Sequence, residues 1–213
     1  MRLRAQIDQL DLQILDLLSH RLRMAEKVAE AKPCGASIFR PDREAQLLAR
    51  LCAAVDPQLQ PVINAVWRAI ISASIARQRP DFVILMTAES EQTARLFAAG
   101  QLSIKQIRAP LDLCQQLAAG IADIGIVEAD ELKSIHCQLG LDRPVKIIAG
   151  LPLLRKPDSV PSAFIVGCQL PDRTAQDCLV VYDKKERTID LASLPEENLP
   201  SERSVLGICT LIG

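Results

Sequence analysis

Apolar residues recur at Leu3, Ile7, Leu10, Ile14, Leu17, Met24 and Val28, a heptad-like seam along one face of a helix. The stretch 4–32 holds neither Gly nor Pro and is rich in Leu, Ala, Gln, Glu, Arg and Lys, all good helix formers. The pattern therefore predicts one uninterrupted helix, roughly 42 Å long at helical rise. Pro33 and Gly35 mark its end. Arg21 stands where the seam calls for an apolar side chain. Lys32, eleven positions on, projects within about 20° of it, three turns away. Arg4 lies about 100° around the helix from Arg21 and roughly 25 Å along it, so it cannot reach the same site within one straight helix. A second, antiparallel copy of the helix would bring it there. Unpaired buried cations are costly, so Arg21 on the seam points to an anionic ligand.

Two more helices follow. Pro41, with Asp42 and Glu44 behind it, opens one that runs to Val55 before Asp56-Pro57. The next begins between Gln58 and Pro61 and ends at Gln78, with an apolar stripe of Ile63, Val66, Trp67, Ile70, Ile71 and Ile75. Ser74 and Gln78, four apart, share one face at its end. Arg79-Pro80 closes the all-helical block. From Asp81 short apolar runs alternate with helical patterns. Strands are predicted at FVILMT, SIKQIR, ADIGIV, VKIIAGL, AFIVG, CLVVYD and VLGICTLIG, and helices at ESEQTARLFAAG and PLDLCQQLAAG, each closed by a C-terminal Gly. The expected architecture is multidomain: an all-α unit over 1–80 and an α/β unit with some parallel strand pairing over 81–213. The Pro-rich stretch 152–161 reads as a connection.

Composition narrows the function classes. Of 213 residues 49% are apolar, enough for a sizeable core. A net charge of −1 and 3% aromatics argue against a nucleic-acid partner, whether through bulk field or base stacking. Charged residues interrupt the apolar positions from Arg2 onward, unlike a secretory signal, and no continuous apolar run approaches a membrane span. Seven cysteines without a C-x-x-C fit reduced thiols, so a cytoplasmic protein is expected. His20 and His136 are far apart in sequence, and no metal site is expected. No Gly-rich phosphate loop is present.

Residues 1–80 resemble chorismate mutases of the all-helical AroQ class, through LRAQIDQLDLQILDLLSHR, VAEAK, RPDREAQLL and WRAIISASIARQ. The resemblance implies an intertwined homodimer formed through the N-terminal helices, with chorismate as substrate and no cofactor. It implies that Arg21 and the partner subunit's Arg4 clamp the two substrate carboxylates. Lys32 and Gln78 would bind the ether oxygen and Glu44 the ring hydroxyl, with Arg43 supporting the polar network and Ser74 assisting a carboxylate. Where the family often carries Asp, this chain has Arg40, whose charge is expected to offset a buried Glu44.

The residue types suit the implied reaction in phenylalanine and tyrosine biosynthesis. Chorismate rearranges to prephenate by a pericyclic step, so catalysis rests on holding a compact conformer and stabilising charge as the C–O bond breaks. Arg matches carboxylates through paired hydrogen bonds. Two alternatives share the carboxylate clamp: a lyase acting on isochorismate, and a regulatory or ligand-binding protein without turnover. Residues 81–213 resemble a shortened, degenerate prephenate dehydratase domain without a complete ACT regulatory domain. Glu128-Ala-Asp130 replaces its acidic, Asn-containing loop, and Ser162-Ala-Phe164 stands where the Thr-Arg-Phe motif would fall. This half is expected to lack dehydratase activity and to be ligand-binding or structural.

Overall fold

The computed structural model describes residues 2–33, 36–153, 160–170, 177–192 and 203–210. Helix α1 spans Arg2–Glu30, α2 Pro41–Ala53 and α3 Gln60–Gln78, the last entered through a 3₁₀ turn over Pro57–Leu59. Pro41 occupies the first turn of α2, where its missing N–H costs nothing, and Asp42 and Glu44 face the positive end of the helix. Both α1 and α2 pack on α3. The first helix ends earlier than its composition predicts. Lys32 lies in a bend beyond Glu30, one residue before Pro33, which disfavours helical geometry at the residue preceding it. Gly35 and most of the connection at 152–161 lie outside the described residues.

The remaining elements are β1 Val83–Met86, α4 Glu91–Ala98, β2 Ser103–Gln106, α5 Pro110–Ala118, β3 Ile124–Glu128, α6 Ala129–Ile135, β4 Lys146–Leu151, β5 Ala163–Gly167, β6 Asp177–Asp183, β7 Thr188–Ala192 and β8 Arg203–Thr210. The strands form one mixed sheet, ordered β2-β1-β3-β5-β4-β8-β6-β7. Its β1–β2 and β1–β3 pairs are parallel, as the strand–helix alternation implies, while β5 runs antiparallel between β3 and β4. Strands β6, β7 and β8 add an antiparallel wing, joined to β4 where Ile147 faces Gly207. A Cβ on Gly207 would collide with the Ile147 backbone, so the junction requires glycine.

Side chains alternate across this sheet. Ile84, Met86, Ile126 and Ile165 face one core, and Leu85, Val127, Phe164 and Val166 face the other. The first core holds α4 together with Phe39, Ala45, Ile71 and Ile75 of the helical block. The composition changes at Arg79-Pro80, but the hydrophobic core continues across it. The second core contains α5 and α6 residues.

Two elements were absent from the sequence reading. Helix α6 is held by a capping box in which Glu128 and Glu131 exchange side-chain and backbone hydrogen bonds. Strand β7 carries the short alternation TIDLA and pairs only with β6 among the described strands. The stretch Pro57–Gln78 is long and apolar enough by length and composition to cross a membrane, because its isoleucines outweigh Arg68 and Arg77 on average. The sequence expectation concerned uninterrupted apolar runs, and Arg68 and Arg77 interrupt this one, which passes by mean hydropathy alone. In this fold Ile71 and Ile75 of that helix enter the shared core.

Cys52, Cys114, Cys137 and Cys168 are free thiols, and the Cys178 and Cys209 sulfurs lie 3.3 Å apart. Among the described residues no group of three or more His, Cys, Asp or Glu could hold a metal ion. His136 stacks on Tyr182 with ring centroids 4.0 Å apart.

Candidate active site

A cavity of about 280 Å³ lies between α1, α3 and the start of α2. Arg21, Lys32, Arg43, Glu44, Ser74 and Gln78 all line it, so six of the seven residues singled out in the sequence converge on one space. Met24, Val28, Leu47, Ile71 and Ile75 supply apolar walls. Arg4 is exposed and does not line the cavity, as its distance along α1 requires.

Each polar residue arrives by a definite route. Arg21 projects from α1 and donates from Nη1 to Ser74 Oγ at 2.7 Å. Ser74 in turn donates to the Ile70 carbonyl at 2.8 Å, the backward bond of a helical serine. Gln78 is the last residue of α3, one turn beyond Ser74. Lys32, past the end of α1, donates from Nζ to the Ser37 carbonyl at 2.9 Å. Ser37 Oγ donates to the Phe39 carbonyl at 2.8 Å, which folds the connecting loop over the same side.

The cavity is rich in cations. Arg21, Lys32, Arg40 and Arg43 line it against a single acid, Glu44. Burial pulls Arg21 below the ordinary guanidinium value, and nearby Arg43 adds to this while Glu44 opposes it. Burial likewise lowers Lys32, aided by repulsion from Arg40 and Arg43. A dianion entering this space would relieve that repulsion, so the site is built for negative charge.

Glu44 is buried, and burial raises its carboxyl above the ordinary value. The charge and hydrogen bond of Arg68 oppose that rise; Asp42 adds to it and Arg21 reduces it. Here the structure corrects the sequence reading. Arg40 forms a paired contact with Asp42, at 3.2 Å from Nε and 3.0 Å from Nη2, so its direct partner here is the neighbouring acid. The cation on Glu44 is Arg68, whose Nη1 lies 2.9 Å from Oε2. Sequence reasoning missed Arg68 because it sits inside the apolar stripe of α3, beside Trp67, and meets its partner across 24 positions. The available signal was a cation on a core-facing stretch, the same signal that singled out Arg21.

Comparison with known proteins bears on this geometry. Residues 3–79 match the family described as chorismate mutase type II. That match covers the N-terminal helical block, α1 to α3. The chain is also 31% identical over 141 residues to the bifunctional chorismate mutase/prephenate dehydratase of Stutzerimonas stutzeri, a match covering 60% of this chain and 38% of that protein. The bifunctional chorismate mutase/prephenate dehydratase of Pseudomonas aeruginosa is 30% identical over 138 residues, with the same coverage of 60% and 38%. The chain thus spans well under half the length of these relatives. Sixty per cent of the chain exceeds the helical block, so the likeness runs on into the α/β half. A crystal structure of prephenate dehydratase from Streptococcus mutans superimposes on 62% of this chain and 100% of its own, with a TM-score of 0.36 and 11% identity, a level that carries no functional argument.

Proposed function

We propose that this protein is a chorismate mutase that rearranges chorismate to prephenate in aromatic amino acid biosynthesis. The observation carrying this reading is the single cavity that gathers Arg21, Lys32, Arg43, Glu44, Ser74 and Gln78 inside the segment matching the family. In the reaction one C–O bond breaks and one C–C bond forms in a concerted step, with no proton lost and no group released. The site's task is therefore positioning and electrostatics.

Arg21, aligned by Ser74, holds one carboxylate, and the partner subunit's Arg4 reaches the other. Lys32 and Gln78 donate toward the ether oxygen as negative charge builds on it, and Glu44 accepts from the ring hydroxyl. Arg43 adds positive charge at the cavity edge. This arrangement needs a homodimer. What supports one is the face of α1 bearing Leu3, Ile7, Leu10, Ile14 and Leu17, which are 56% to 75% exposed in the single chain. Such a row requires an apolar partner.

The α/β half, on our reading, is not a dehydratase. Ser162 Oγ donates to the Leu151 carbonyl at 3.4 Å, and Ala163 and Phe164 are the fully buried start of β5. No cation comes from that motif to orient a carboxylate.

The test is incubation of purified protein with chorismate, with product identification. Prephenate should form at a rate unaffected by EDTA, and no phenylpyruvate should appear above the spontaneous rate. Pyruvate as main product would replace this reading with a lyase. Saturable chorismate binding without turnover would replace it with a ligand-binding protein.

A further inference from the structure

Arg68 links the α/β half to Glu44 of the candidate site. Arg68 lies on α3 with its Nη1 on Glu44 Oε2 at 2.9 Å, and the two side chains are 14% and 9% exposed. Its Nε donates to Ser72 Oγ at 3.2 Å, and Ser72 donates to the Phe97 carbonyl at 2.9 Å. The guanidinium also rests 4.4 Å from the centroid of the Phe97 ring. Phe97 belongs to α4, beyond the helical block, and its ring meets Phe39 edge-on at 5.6 Å. Arg68 Nη2 is buried without a hydrogen-bond partner among the described residues. A planar cation held on three sides and left one donor short has little freedom to leave Glu44.

We propose that Arg68 is a positioning residue for this site, holding Glu44 as an oriented carboxylate, and that α4 holds Arg68 in place through Phe97 and Ser72. The kinetic part of this inference rests on the mutase reading; the ionisation part does not. A carboxylate buried without a cation takes up a proton instead. A protonated Glu44 would present an O–H where the substrate hydroxyl needs an acceptor, and would leave the cavity's cations unbalanced. The charged groups facing Glu44 are Arg68 from α3, Arg21 from α1 and Asp42 from α2, with Lys32, Arg40 and Arg43 around the same cavity. Burial raises Glu44 and Arg68 opposes that rise, so loss of Arg68 moves the carboxyl further upward.

The experiment uses the full chain, without ligand, labelled with ¹³C at glutamate carboxyls, with the Glu44 signal assigned by Glu44→Gln. Arg68→Gln should raise the Glu44 midpoint by about 1 to 3 pH units. Arg68→Lys should recover most of that shift, and Phe97→Leu should produce a smaller shift in the same direction. In parallel, the acid limb of kcat/KM for chorismate should follow the midpoint and disappear in Glu44→Gln. An unchanged midpoint in folded Arg68→Gln protein overturns the proposal. If that variant does not fold, the titration of Phe97→Leu decides, an upward shift upholding the proposal and an unchanged midpoint overturning it. A wild-type chain that turns over no chorismate, while Arg68→Gln still raises the midpoint, removes the mutase reading and leaves the Arg68 assignment standing.

Discussion

Arg21 of α1 and Ser74 of α3 meet at 2.7 Å across 53 positions of sequence. The serine hydroxyl is itself fixed by its bond to the Ile70 carbonyl, so the guanidinium is aimed before any ligand arrives. Aiming a long cation in advance removes an entropic cost that binding would otherwise meet.

Ser74→Ala should therefore lower kcat/KM for chorismate by roughly ten- to a hundredfold, the range for a hydrogen bond to a charged group. Arg21→Ala should cost more, about a hundredfold or beyond, because a charge partner of the substrate is lost. Initial rates of chorismate disappearance measure both. Equal, small effects would remove Arg21 from the carboxylate clamp.

Lys32 predicts an alkaline limit. Burial and the nearby Arg40 and Arg43 place its ammonium below the ordinary lysine value. As pH rises the positive charge of the proposed ether-oxygen donor is lost earlier than in an exposed lysine, so the alkaline fall in kcat/KM should set in below the usual lysine range. Lys32→Arg should abolish that limb whatever its effect on the plateau, since guanidinium stays charged. A limb that persists unchanged in this variant assigns it to another group.

Arg4 predicts complementation. Arg4→Ala and Arg21→Ala proteins should each be nearly inactive. After subunit exchange, one site in each mixed dimer carries both lesions and the other neither, so activity should return. Mixed dimers that form without rescue would show that Arg4 does not act across an interface. In the same setting Leu10→Glu, on the exposed row of α1, should shift sedimentation toward the single chain.

The shared core predicts that the helical block depends on the rest of the chain. Ile75 is 2% exposed and lies in a cluster with Phe82, Ile84 and Phe97. Ile75→Ala should cost about 2–5 kcal/mol in denaturant unfolding. A fragment of residues 1–80 should melt at lower temperature than the full chain, because Phe39, Ile71 and Ile75 lose their apolar neighbours. Equal melting would mean that the helical block buries those side chains without the α/β half.

What the sequence by itself determined was local or periodic. A seam at heptad-like spacing marked α1, Pro and Gly marked helix ends, and apolar runs marked seven of the eight described strands. Helical arithmetic put Ser74 beside Gln78 and separated Arg4 from Arg21. These features are legible because helix and strand geometry repeat over a few residues. Other features needed the tertiary structure. Lys32 reaches the cavity from a bend rather than from the helix, because Pro33 ends α1 early and the Ser37 carbonyl captures its ammonium. Arg40 meets Asp42, two positions away, and Arg68 meets Glu44 from 24 positions on. The placement of β5 between β3 and β4, and the core running from α3 onto the sheet, have no period along the chain. Ion pairs and core contacts between distant segments depend on which faces pack together, and that packing is settled only when the helices meet the sheet.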